Sequence, residues 1–372
     1  VNVRVTVSRP TTGSRATSLM VNGGSKWCTI RGTAGRCTLR KVKVGTVMQI
    51  KATARNRAGS GKASTIQRYT AGSAAWRLVT KTPLSSFVNL VSSTGMVDAR
   101  GIQIDARGNV LVAGHTTGTL TGRTSMGQSD PWVAKYSPAG ALLWSNQFGT
   151  TMADIIQGSA LGPTGDLFVT GFTTGTFAGQ VGGGGGLDAF VARVNGATGA
   201  VMWVTQVGSD GIDLGIKLAT TSTAVYLVAY TNGDFPMSGG PHTGNGPDDG
   251  VIAKFNATTG ALETAVQVVA EGAPDAADTY LSGIAIASNG DVVVTGETNG
   301  LVVTGASHVA GKYDVLIMRY NAALTSNIWM TQDSVGYDQD AYDLALDRNG
   351  DIIVCGDTYS QSAGGKVAGS SS

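Results

Sequence analysis

One cassette, repeated five times at nearly regular spacing, restricts this chain more than any other feature. Its clearest copy is GIQIDARGNVLVAGHT, from Gly101 to Thr116. It returns as GSALGPTGDLFVTGFT, GIKLATTSTAVYLVAYT and GIAIASNGDVVVTGET, and last within DLALDRNGDIIVCGDT. The anchor positions are Gly114, Gly171, Ala229, Gly296 and Gly356, evenly placed apart from one longer step between the third and the fourth. Each cassette reads as two alternating strands joined by a tight turn, with Gly108, Gly165, Gly290 or Gly350 supplying the positive φ that the turn needs. The offset from each turn glycine to its anchor is constant, which sets the register of the second strand.

Two further strands are expected between cassettes. The first opens on Asp130, Asp188, Asp249 or Asp314 and carries a basic residue five positions later, at Lys135, Arg193, Lys254 or Arg319. The second holds Trp144, Trp203 or Trp329, with Gln147, Gln206 or Gln332 three positions on, and Trp76 reads as an earlier member of the series. Four strands per unit, repeated, predict an all-β fold of β-propeller blades, each burying its faces against its neighbours. The 54 glycines and 14% charged residues agree with many short strands and tight turns.

The cassettes, with DAFVARVNGATGAVMWVTQVGSDG between two of them, resemble the seven-bladed β-propeller repeat (SBBP) family of large secreted and surface proteins. The resemblance runs from about Trp76 to Thr358 and is weakest at the third cassette, where Ala229 replaces the anchor glycine. It implies a propeller over 73–372, of which about five blades are visible. Residues 1–72 alternate in short β-like runs. There Cys28, Cys37, Gly45, Asn56 and Gly59 resemble the latter part of a bacterial-type fibronectin type III domain, which implies a partial immunoglobulin-like β-sandwich. Both ends cut through recognisable units, so the expectation is an interior segment of a larger surface protein.

Charge divides the chain in the same place. Positions 1–97 hold 16 Lys and Arg and no acid, whereas positions 98–372 hold 11 Lys and Arg against all 25 acids. Lys26, Arg31, Arg36, Arg40, Lys41, Lys43, Lys51, Arg55 and Arg57 gather around the Cys28–Cys37 hairpin and the strand after it. So basic a module asks for an acidic partner: other protein subunits, copies of the same chain, or an acidic polysaccharide. Nucleic acid is not expected, since Trp27 and Tyr69 are the only aromatics on offer for stacking. Nine positions across a glycine-containing turn separate Cys28 from Cys37, so adjacent antiparallel strands would bring them within disulfide range. That pair implies an oxidising, extracellular location. Cys355, inside IIVCG, reads as a buried small hydrophobe.

No catalytic constellation is legible. His115, His242 and His308 are scattered and read as surface loop residues. The recurring Asp130, Asp188, Asp249 and Asp314 read as turn caps, because a catalytic acid is not needed in every blade. A second series, Asp98, Asp154, Asp213, Asp278 and Asp340, falls at a nearly constant distance before the anchors. It is placed in loops feeding one mouth of the propeller, where a hard cation such as calcium is the competing reading to a turn cap. Neither an EF-hand loop nor a Ser-x-Asp-x-Gly-x-Thr-Trp box occurs. NGATGAVMW resembles the tryptophan-docking motif of quinoprotein dehydrogenases, but the next repeat, NATTGALET, lacks the Trp. The sequon Asn256-Ala257-Thr258 is a possible N-glycan acceptor. No apolar run is long enough for a membrane-spanning helix. The function expected is therefore structural or adhesive and not enzymatic, without cofactor or metal, assembling on a cell surface as a filament or appendage. The alternatives are a glycan- or ligand-binding surface module, and a fragment of a carbohydrate-active or redox enzyme.

Overall fold

The structure is a computed structural model that describes eight N-terminal strands and residues 93–359 except 183, 239–247, 271–276 and 310. It divides into two compact units, Val1–Val88 and Asn89–Ser372. In the first unit the strands are β1 (Val3–Val7), β2 (Ser18–Gly23), β3 (Lys26–Arg31), β4 (Gly35–Leu39), β5 (Val47–Asn56), β6 (Gly59–Ala63), β7 (Gln67–Thr70) and β8 (Leu78–Thr80). One sheet has the order β4-β1-β8 and the other β3-β2-β5-β6, with β7 also pairing β5.

Among the described residues the second unit contains four complete blades. Blade 1 is β9 (Val97–Ile104), β10 (Val110–Thr116), β11 (Asp130–Tyr136) and β12 (Leu142–Gln147). Blade 2 is β13 (Asp154–Leu161), β14 (Leu167–Thr173), β15 (Asp188–Val194) and β16 (Val201–Val207). Blade 3 is β17 (Asp213–Thr220), β18 (Ala224–Thr231), β19 (Asp249–Asn256) and β20 (Leu262–Val268). Blade 4 is β21 (Thr279–Ile286), β22 (Val292–Thr298), β23 (Asp314–Tyr320) and β24 (Asn327–Asp333). β25 (Gln339–Leu346) and β26 (Ile352–Thr358) begin a fifth. Within each blade the strands pair antiparallel in chain order, and the first strand of each blade packs against the first strand of the next. These are β-propeller blades, in the all-β architecture that the repeat predicts.

The turn glycines behave as the sequence requires: φ is 79° at Gly108, 87° at Gly165, 92° at Gly290 and 88° at Gly350. The third hairpin has no such glycine. There the Thr221 hydroxyl accepts the backbone N–H groups of Thr223 and Ala224 instead. The anchor glycines serve a close approach. A Cβ on Gly171 would run into the carbonyl oxygen of Ile155 on the paired strand, beside a β-bulge. In blade 3 Ala229 stands at the anchor, opposite Gly215 beside the same bulge, and Gly215 serves a different approach, since a Cβ there would meet Thr170 and Gly171 of blade 2.

The second and third strands form the core of each blade. Trp132, Phe190 and Phe255 are fully buried, and Phe168, Val191, Leu227, Val251 and Phe255 belong to one apolar cluster that crosses from blade 2 to blade 3. The basic residue of the third strand fastens one end of the blade. Lys135 pairs with Asp105 at 2.9 Å and donates to the Gly196 carbonyl of the next blade at 2.7 Å. Arg193 repeats this with Asp166 at 2.6 Å and the Ala257 carbonyl at 2.8 Å. Trp144 and Trp203 donate their indole N–H groups to the same two carbonyls, which accounts for the aromatic punctuation.

The other end is closed by the Gln of the fourth strand. Gln147 donates to Asp130 Oδ2 at 2.8 Å and to the Gly118 carbonyl at 2.8 Å, and accepts the Leu120 N–H at 2.8 Å. Gln206, Gln267 and Gln332 do the same for Asp188, Asp249 and Asp314. Gln147→Ala leaves a buried carboxylate, a carbonyl and an N–H short of a partner. The expected cost is about 3 kcal/mol in urea unfolding, and a loss below about 0.5 kcal/mol would show that the clasp does not hold the blade.

Candidate functional site

Superposing the cassettes by register separates a constant frame from one variable position. At the end where the Asp–Gln clasp sits, the last residue of every second strand is threonine: Thr116, Thr173, Thr231, Thr298 and Thr358. Thr116, Thr173, Thr231 and Thr298 are buried. One residue earlier, the side chain and its cross-strand partner change from blade to blade. The pairs are His115 with Asp98, Phe172 with Ile155, Tyr230 with Leu214, Glu297 with Tyr280, and Asp357 with Asp340. A position that varies inside a fixed frame is where a repeat protein can differentiate its blades.

Blades 3 to 5 place aromatic and acidic groups there. The rings of Tyr230 and Tyr280 meet edge to face, with centroids 5.4 Å apart and planes at 89°. Tyr313, just ahead of β23, lies 6.3 Å from Tyr280. The Tyr280 hydroxyl donates to Asp248 Oδ2 at 2.9 Å, and the Tyr313 hydroxyl donates to Asp278 Oδ2 at 3.0 Å. Asp278 is held further by the Asp248 N–H at 3.1 Å and by Asn299 Nδ2 at 3.3 Å. Glu297 Oε2 accepts the N–H of Ala341 from the next blade at 2.9 Å. Three blades thus contribute to one layer.

Its electrostatics follow from burial among like charges. Burial, then the bond to Asp248, pushes the Tyr280 hydroxyl far above its ordinary value. Burial, then the bond to Asp278, raises Tyr313 likewise, so both tyrosines stay neutral and act as donors. Glu297 is pushed up to about 7, first by burial and then by Asp340 and Asp357. It therefore exchanges its proton near neutral pH, whereas an ordinary glutamate is ionised there.

The carboxylates placed in a single ring by sequence spacing occupy three different registers. Asp154 and Asp213 are first residues of their strands, opposite Thr173 and Thr231, and are fully buried. Asp154 accepts the Thr150 N–H at 2.5 Å and Asp213 the Ser209 N–H at 2.7 Å, so they cap turns inside a blade junction. Asp98 and Asp340 sit one position later, and Asp278 one position before its strand. Among the described residues no group of three or more His, Cys, Asp or Glu side chains is arranged for a metal. The other series, Asp130, Asp188, Asp249 and Asp314, is buried and bonded to glutamine, as turn caps are.

His115 is not in a loop: it lies in β10, 5% exposed, and burial lowers its pKa against the opposing pull of Asp98. His308 is a loop residue but bonds through Nδ1 to Asp314 Oδ2 at 2.7 Å. Cys355 is exposed and free, because no strand covers β26 among the described residues. His242 lies outside the described residues. Cys28 pairs with Val21 and Cys37 with Val5, so their strands belong to different sheets and not to one hairpin ladder. The side chains of Cys28 and Cys37 lie outside the described residues, as do those of Lys26, Arg31, Arg36, Arg40, Lys41, Lys43, Lys51, Arg55 and Arg57. Asn256 stands at the β19–β20 turn, its amide donating to Glu263 at 3.1 Å.

No protein-family model matches this chain. No curated protein matches it either. Solved structures do. An exotype rhamnogalacturonan lyase aligns over 95% of this chain and 70% of its own, at 12% identity and a TM-score of 0.37. A rhamnogalacturonan lyase from Bacillus licheniformis covers 96% and 73%, at 12% identity and 0.34. The hemagglutinin-neuraminidase of parainfluenza virus 5 covers 96% and 90%, at 10% identity and 0.37. Overlaps this loose transfer no substrate and no residue role. They do correct the expectation that the chain is not an enzyme, since these similar structures are enzymes by name. That expectation stands on the absence of a catalytic constellation from the sequence, with the histidines read as surface residues and the recurring aspartates as turn caps.

Glu297 makes a pH-dependent contribution with a definite sign. Its folded value of about 7 exceeds its ordinary 4.5, so the stability it contributes is fully present below 4.5 and is lost as pH rises through 7. Relative to Glu297→Gln, the wild type should lose about 2 kcal/mol of unfolding free energy between acid and mildly alkaline pH. Parallel urea midpoints for the two proteins across this range would refute the raised value.

Proposed function

We propose that this chain is an SBBP-type propeller that recognises carbohydrate at the tyrosine and carboxylate layer of blades 3 to 5. The observation that carries the reading is Tyr280, set edge-on to Tyr230 and near Tyr313, with two carboxylates bonded to the tyrosine hydroxyls. Sugars present C–H faces that pack on aromatic rings and hydroxyl pairs that donate to carboxylates. A layer holding both groups, supported by three blades, meets those two demands. The basic N-terminal unit is proposed to meet an acidic polysaccharide or another subunit, outside the cell or at its surface.

A second reading at the same place is proton transfer to or from a bound glycan by Glu297, whose value of about 7 suits a group that must both give and take a proton.

Immobilised-glycan screening of the full chain, followed by calorimetry on the best binder, tests the first reading. Tyr280→Ala should weaken binding at least tenfold, about 1.4 kcal/mol, with melting temperature checked in parallel. Unchanged affinity in a folded variant would remove the site. For the second reading, Glu297→Gln should keep binding within threefold and abolish release of reducing ends or unsaturated products from the bound glycan. Full turnover by the variant would exclude Glu297.

A further inference from the structure

Four carboxylates elsewhere in the propeller face cations. Asp105 faces Lys135 at 2.9 Å, Asp166 faces Arg193 at 2.6 Å, Asp291 faces Arg319 at 2.9 Å, and Asp98 faces Arg100 at 2.7 Å. Others, such as Asp154 and Asp213, are held by hydroxyl and backbone N–H groups, and the tyrosine layer is of this second kind. Asp248 and Asp278 are bonded by tyrosine hydroxyls, an amide side chain and a backbone N–H, and Glu297 by a backbone N–H. None of the three forms an ion pair with a described Lys or Arg. Lys312, next to Tyr313, is engaged with Asp338 at 2.9 Å, and Lys254, six residues after Asp248, with Glu263 at 3.0 Å.

A second and separate observation concerns the rings. Tyr230, Tyr280 and Tyr313 follow one another in series, with successive centroids no more than 6.3 Å apart, and each is only half-buried. Aromatic faces carry negative charge density and attract cations, and grouped rings do so best when carboxylates stand beside them. The hydroxyls of Tyr280 and Tyr313 donate to Asp248 and Asp278, which leaves each phenol oxygen, and the ring area its neighbours do not cover, to meet a cation. Rings and carboxylates therefore ask for the same charge.

Resting on the carbohydrate reading above, we propose that the ligand carries positive charge, and that the glycan class recognised is one with free amino groups, such as a β-1,4-linked glucosamine oligomer. An ammonium group supplies what the layer lacks: a counter-ion for Asp248 and Asp278 and a cation for the tyrosine faces. Uronic and sialic acid units bring a further negative charge beside Asp248 and Asp278, which pair with no described Lys or Arg, and are turned away.

The experiment uses the full chain and four probes, read by calorimetry in mildly acidic buffer: a glucosamine tetramer, its N-acetylated counterpart, a galacturonate tetramer, and tetramethylammonium. The glucosamine tetramer should bind at least tenfold tighter than the acetylated one, the galacturonate should not bind, and a tenfold rise in salt should erode the preference. Asp278→Asn and, independently, Asp248→Asn should reduce the preference below threefold, and a preference still tenfold in both variants overturns the role given to these carboxylates. Equal or tighter binding of the acetylated or galacturonate tetramer overturns the charge proposal and leaves the carbohydrate reading standing. Binding of tetramethylammonium with no binding of any tetramer supports the cation site and sinks the carbohydrate reading. Binding of none of the four sinks both.

Discussion

A glutamine side chain with every hydrogen-bonding group engaged holds the rest of the propeller in place. In each complete blade, one amide ties the fourth strand to the buried aspartate that opens the third. The same amide secures the carbonyl and N–H of the loop between the second strand and the third. A loop that leaves a sheet and returns to it needs somewhere for its backbone groups to bond. A side chain meets that need here, so the loop can differ in length and sequence from blade to blade. At the other end, a lysine or arginine and a tryptophan reach the next blade's turn carbonyl, so blades are joined through backbone atoms and tolerate changes of side chain across the seam.

Constancy at both ends concentrates variation. Between each anchor and its threonine stands one residue that differs every time: histidine, phenylalanine, tyrosine, glutamate and aspartate. Its partner across the ladder varies too, with aspartate in blades 1 and 5 and isoleucine, leucine and tyrosine between them. In blade 1 that pair is half neutralised by Arg100, and in blade 2 it is apolar. Only toward blade 4 does it combine a phenol with a carboxyl, and there the neighbouring loops bring Asp248, Asp278 and Tyr313 alongside. The chemistry of the layer comes from blades that differ and are seated on a frame that does not.

Much of the frame is legible in the sequence, because its demands are local. Positive φ at Gly108 or Gly165 selects glycine, alternation fixes the inward faces, and the paired Asp and Gln recur at nearly constant offsets. The site is less legible. Position 115, 172, 230, 297 or 357 is marked as variable once the cassettes are aligned, so that signal is open to reading. The approach of Tyr313 to Tyr280, and of Asp248 to Asp278, depends on loop paths that periodicity does not encode. The acidic series misleads for a related reason: equal distance from an anchor does not mean equal register when a bulge and a loop of free length lie between. His115 reads as exposed because a polar residue next to a loop looks so until the neighbouring blade is laid over it.

Blade 3 shows that a blade can keep its geometry after its signature has gone. Its first two strands pair in the same register and bulge at the same place as those of blades 2 and 4, although alanine stands at the anchor, Ala229. Repeats that drift in this way lose the visible mark while retaining the geometry, so blade number counted from anchor glycines alone falls short of the number folded.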